Sequence, residues 1–255
     1  MNSSAVGRYA DYLTRELVPF VDREFRTLAA REHRGVFGKS SGGYGALMHA
    51  MKYPRYWGAA ASHSGDAGFE LAYVPEWPST LDELARHCSP QRKTGKVDVR
   101  QAARAAGNDG ADDGRVRRFL EHVWAKRQPS GAEIQALANL ALAASYDPDP
   151  RAKNGFRVPF NLETGERLAQ RWRRWRQHDP VELVTRYARH LRTLRGLYID
   201  CGWRDQYRLH YGNRLLSIRL VEHGVPHVYE EFDGTHSGVD YRMERSLPYL
   251  YRAVR

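Results

Sequence analysis

Cysteine is nearly absent. Cys88 and Cys201 are the two thiols in 255 residues, too few and too isolated for a disulfide framework or a zinc site. Long apolar runs are missing as well, and none approaches the roughly 20 residues that cross a bilayer. Met1 to Tyr9 hold no apolar signal-peptide core, which fits a cytoplasmic location. No pair of histidines stands at metal-ligand spacing on a helix, so no metal and no cofactor is expected. There is no internal repeat. Acidic charge is in deficit: 40 Lys and Arg against 30 Asp and Glu give +10. The excess is arginine scattered along the chain rather than gathered in one patch, so nucleic acid is not the expected partner.

What is present is a well-stocked core and one unusual turn. At 42% apolar and 11% aromatic residues, the chain can bury a large core. The turn is Gly38-Lys39-Ser40-Ser41-Gly42-Gly43, a G-x-S-x-G pattern. Gly35-Val36-Phe37 before it suits a buried strand, and Tyr44 to Met51 after it suits a packed helix. Strand, sharp turn and helix are the setting of a nucleophile elbow, which lifts a serine hydroxyl above the sheet edge. Glycines two before and two after allow backbones to approach without Cβ clashes. A P-loop is excluded, because the glycine it needs five positions before Gly38 is His33.

In chain order, Tyr9, Leu13, Leu17, Phe20, Val21, Phe25 and Leu28 fall at helical spacing. They predict a helix over 9–28, kinked or restarted at Pro19 and packed on one side of a sheet. Four strands are legible, at 35–38, 59–62, 196–201 and 227–232. Helices follow the first and third, at 44–53 and 207–223, so the sheet is expected to be parallel in an α/β fold. A closing helix is expected at about 240–252. Residues 78–180 lack convincing strands and carry two amphipathic helices, around 116–124 and 134–142, with a charged, glycine-rich link at 107–114. They read as a helical insertion into a core made of 1–77 and 181–255, acting as a cap over the strand ends. Arg167, Arg171, Arg173, Arg174 and Arg176 alternate with Leu168, Trp172 and Trp175. The expected structure there is an amphipathic helix with its Trp pair inward and its arginines solvated.

A serine nucleophile needs a base, and the base needs an orienting carboxylate. In α/β-hydrolases these follow in the order Ser, Asp or Glu, His, on loops after strands. Asp205 follows the third strand through Gly202-Trp203-Arg204. His236 follows the fourth through Asp233-Gly234-Thr235. Asp200 competes for the acid role, but it lies inside the strand run and is expected to point into the sheet face. The catalytic set is therefore Ser40, His236 and Asp205, with the backbone N–H of Ser41 as an oxyanion donor. His63, Asp66 and Lys39 are candidates to line the pocket. His87, His122, His178 and His190 read as surface or capping residues.

Gly38-Lys39-Ser40-Ser41-Gly42-Gly43-Tyr44-Gly45-Ala46-Leu47 resembles the elbow of the "putative esterase" family of α/β-hydrolases. That family includes esterase D (S-formylglutathione hydrolase), enterochelin esterases, feruloyl esterase domains and the antigen 85 mycolyltransferases. Ile199 to Tyr207 is similar to the esterase D acid loop, with Asp205 in the place of the triad acid before Gln206-Tyr207. Gly234-Thr235-His236-Ser237 is similar to the family's histidine loop. The resemblance covers about 9–75 and 180–252. It implies a serine hydrolase for carboxylic esters or thioesters, without a cofactor and with a small-molecule substrate. The alternatives are acyl transfer to an alcohol, as in the mycolyltransferases, or a catalytically impaired fragment serving as a binding module. Lys39 departs from the family, where histidine or an apolar residue more often precedes the serine. The family also begins with several strands ahead of the helix that opens this chain, and a loop after one of them supplies the second oxyanion donor. The chain thus resembles the C-terminal part of such a fold. An exposed sheet edge and an incomplete oxyanion hole are expected.

Overall fold

A computed structural model describes residues 2–89 and 112–255. They form two compact units. The first holds Tyr9–Ala72 and His178–Arg255, and the second Asn2–Arg8 and Tyr73–Gln177.

The first unit is built on a four-stranded parallel sheet. β1 (Gly35–Lys39), β2 (Ala59–His63), β3 (Gly196–Gly202) and β4 (Val228–Phe232) lie side by side in chain order. The register aligns their C-terminal ends: Lys39 pairs with His63, His63 with Asp200, and Gly202 with Phe232. Right-handed crossovers between successive neighbours put the connecting helices on one face. Accordingly Pro180–Leu191 packs on both Ser41–Lys52 and Leu209–Glu222. The closing helix, Met243–Val254, packs against β1, β2 and β3. Ala59, Ala61, Tyr198 and Leu250 make the core beneath it. β2 is buried on every residue, as a parallel strand covered on both faces must be. β1 is at the sheet edge, with Phe37 45% exposed.

The opening helix differs from its sequence pattern. It runs Tyr9–Asp11, widens to a π-helix over Tyr12–Leu17, and resumes over Val18–Glu24. The N–H of Val18 reaches the carbonyl of Leu13, five residues back. This widened turn comes immediately before Pro19, whose ring would crowd the carbonyl four residues earlier. The helix stops at Glu24, and Phe25 is already extended. Its apolar stripe is not packed away: Tyr9, Tyr12, Phe20, Phe25 and Leu28 are exposed, and Ala10 and Thr14 are the residues it buries.

The second unit is helical. Trp77–Ala85 packs on Gly131–Tyr146 and on Arg115–Trp124. Ser130 and Glu133 form a reciprocal capping box at the start of the long helix. Tyr73, Trp77, Tyr146, Phe160, Trp172 and Trp175 form an aromatic cluster with centroid separations of 5.2 to 6.5 Å. In Ala169–Arg176 both tryptophans point inward, but the arginines are not all solvated. Arg171 is buried and paired with Asp147, 3.3 Å away, because its position falls on the inward side with Trp175. The short strands Asn2–Ser3 and Gly7–Arg8 pair with each other, and Ser3 donates to the carbonyl of Ala144. Most of the link at 107–114 lies outside the described residues. Among the described residues, no helix is long and apolar enough to cross a membrane.

Candidate active site

The turn between β1 and Ser41–Lys52 holds Ser40 at φ 57° and ψ −126°, outside the regions an L-residue prefers. Three features keep it there. The N–H of Ser40 donates to the carbonyl of His63 at 2.9 Å, and its carbonyl accepts from Tyr44 at 2.9 Å. The turn itself is tight: a Cβ on Gly38 would lie 2.5 Å from the Gly42 carbonyl carbon, and one on Gly43 2.9 Å from Ser62 Oγ. Bare backbone is therefore required at both places. Ser41 is the first helical residue, and the first-turn N–H groups of a helix have no partner within it.

The other two site loops leave the neighbouring ends of β3 and β4. They pack closely, since a Cβ on Gly202 would lie 2.4 Å from the Gly234 carbonyl oxygen. Trp203 donates to the Phe232 carbonyl and Arg204 to that of Gly234, both at 3.0 Å. This brings three side chains into line. His236 Nε2 is 2.9 Å from Ser40 Oγ, and His236 Nδ1 is 2.7 Å from Asp205 Oδ2. Asp205 is buried, and its other oxygen accepts the Tyr207 N–H at 2.9 Å. A carboxylate acceptor at Nδ1 puts the ring proton there, which leaves Nε2 free to accept from the serine hydroxyl.

Asp200 and His63 go elsewhere. They bond to each other at 2.7 Å, and Asp200 also accepts from Tyr198 and Arg242. His63 is 3% exposed and reaches Ser246, so the expected place in the pocket lining is not the one it takes. The cause is strand alternation: His63 shares its face of β2 with Ala59 and Ala61, which pack towards the closing helix. Asp66 is buried in the loop after β2, and Lys39 is half-buried at the end of β1. Among the described residues no group of three or more His, Cys, Asp or Glu could hold a metal ion.

Three neighbours of the site carry no role that the sequence pattern assigns. Gln206 Oε1 accepts the backbone N–H of His236 at 3.0 Å. The Tyr207 ring stands edge-on to the His236 ring at 4.9 Å. Cys201 offers its thiol to Asp205 at 3.8 Å, and burial beside that carboxylate pushes the thiol pKa up. The Gln-aromatic pair directly after Asp205 was the signal for the first two. A cysteine inside an apolar strand carries no such signal.

The family model described as "Putative esterase" matches residues 4–244. Esterase Rv1288 of Mycobacterium tuberculosis strain H37Rv is 41% identical over 64 residues, which are 24% of this chain and 14% of that protein. Two solved structures share the fold. One is the fluorophosphonate-binding serine hydrolase F of Staphylococcus aureus, with TM-score 0.51, 15% identity, and 98% of this chain and 66% of that one covered. The other is a ferulic acid esterase, with TM-score 0.50, 16% identity, and 98% and 62% covered. The chain therefore spans less than two thirds of the length of each of these relatives.

Proposed function

The chain belongs to the esterase family on an α/β-hydrolase fold, and from that premise we propose that it hydrolyses carboxylic esters or thioesters of small molecules at Ser40. The observation that carries this reading is the unbroken chain Ser40–His236–Asp205, at 2.9 and 2.7 Å, with the serine on a strained turn. As the hydroxyl oxygen attacks the acyl carbon, His236 Nε2 takes its proton. The carbonyl π pair moves to oxygen, and the negative charge meets the N–H of Ser41 at the helix start. His236 returns the proton to the departing alkoxide or thiolate, leaving an acyl-Ser40 ester. Water then attacks that ester with His236 again as base, and the acid leaves as Ser40 regains its proton. Asp205 holds the ring in the required tautomer and offsets the charge of the imidazolium.

The test is hydrolysis of p-nitrophenyl acetate and of an acetyl thioester by the wild-type chain and by Ser40→Ala. Turnover that falls to the buffer rate in Ser40→Ala supports the reading. A folded wild-type chain without turnover on either class, or an equally active variant, refutes it.

A further inference from the structure

A second hydrogen-bonded chain runs under the sheet and repeats the order of the first. His63 Nδ1 is 2.7 Å from Asp200 Oδ1, and His63 Nε2 is 2.8 Å from Ser246 Oγ. Ser246 and Asp200 are fully buried, Ser246 inside the closing helix, so no substrate reaches this serine. The consequence of this chain lies at its far end. With His63 on one oxygen, Asp200 presents the other to Arg242 Nε at 2.8 Å. Arg242 Nη2 goes on to Glu230 Oε2 at 2.6 Å and to the Tyr198 hydroxyl at 2.9 Å. Its guanidinium also lies 4.5 Å over the Phe232 ring.

Glu230 and Arg242 bracket the loop that carries His236. β4 ends at Phe232, a short 3-10 turn begins at Asp240, and nothing regular lies between them. The backbone bonds at Gly234 and His236 fasten this loop to the acid loop. The Glu230–Arg242 pair fastens its two ends to each other, and Asp200 fastens that pair to the central strand β3. Position matters here, because one imidazole must satisfy two partners at once. A misplacement of about 1 Å at a catalytic group costs on the order of 100-fold in rate.

We propose that Arg242 is a positioning residue: it closes the His236 loop at its base and ties it to buried Asp200, keeping the imidazole within reach of both Ser40 and Asp205. The proposal rests on the reading of Ser40, His236 and Asp205 as the reacting set. Asp200 and His63 act through Arg242, and none of the three touches the reacting atoms.

The test uses the full chain with two readouts: the second-order rate of fluorophosphonate labelling, and the low-field proton NMR signal of the His236 Nδ1–H. Arg242→Gln is expected to label about 100-fold more slowly and to lose that signal, with an unchanged far-UV spectrum. Arg242→Lys, which keeps the charge but not the fork, is expected to recover part of both. Folded Arg242→Gln protein with the wild-type rate and signal overturns the proposal. If Arg242→Gln does not fold, Glu230→Gln decides, because Glu230 is 31% exposed and its loss strands less buried charge. Slower labelling with a weakened signal is expected there, and wild-type values overturn the proposal. A wild-type chain that never labels refutes the catalytic reading instead, and the NMR signal in the variants still decides whether Arg242 fixes the ring.

Discussion

A non-glycine residue at φ 57° and ψ −126°, as Ser40 is, costs on the order of 1–3 kcal/mol. Surrounding contacts have to hold it there, and the turn is tight enough that a side chain at Gly38 would collide with Gly42. Gly38→Ala is therefore expected to lower the melting temperature and to abolish esterase turnover, measured together by thermal unfolding and p-nitrophenyl acetate hydrolysis. Asp205→Asn keeps the shape of the acid but reverses the ring tautomer it selects, so kcat is expected to drop roughly 10⁴-fold. A drop below tenfold would move the acid role elsewhere. Asp200 was the rival candidate, and its place inside the strand run was enough to turn it towards the sheet face. By contrast, Ser246 as the partner of His63 could not be read, since 183 residues separate them and no spacing rule links them. His49 gives a pH signature at this scale. Burial lowers its pKa from 6.5 to about 4. Between those values the unfolded chain binds the extra proton, so stability is full above about pH 6.5 and falls as the pH drops towards 4. Urea midpoints across that range should show the slope in the wild type and a weaker one in His49→Gln.

Elements were legible where burial on both sides forced a plain pattern. β2 and β3 read clearly because short apolar runs ended in small residues or glycine. The opening helix is shorter and more exposed than its apolar spacing predicts. Its spacing of Leu13, Leu17, Phe20 and Val21 marks a helix face, but spacing does not say that anything covers the face. Helix junctions depend on single side chains, and Asp179 is the clearest case. It caps Pro180–Leu191 by accepting from Val181 at 3.0 Å, and it also accepts the N–H groups of Gly68 and Phe69 at 3.0 and 2.7 Å. Asp179→Ala strands three donors at once, and a stability loss of about 2–4 kcal/mol is expected from denaturant unfolding. A loss under 0.5 kcal/mol would mean that the loop at 68–69 finds other acceptors.

At the scale of the whole molecule, the sheet is ordered β1-β2-β3-β4 and ends at β1 with a half-exposed phenylalanine. An edge strand of this kind offers unpaired backbone groups to another sheet. Phe37→Lys is expected to raise the temperature at which light scattering begins while Ser40 still labels. The net charge of +10 opposes association over the rest of the surface and is screened by salt, so the difference between the two proteins should widen at higher ionic strength. The most direct test of the central claim is fluorophosphonate labelling of the folded chain, with the adduct mapped by mass spectrometry. Labelling at Ser40 that disappears in Ser40→Ala and is strongly reduced in His236→Ala is the predicted result. A folded chain that does not label, or one that labels at another residue, would contradict it.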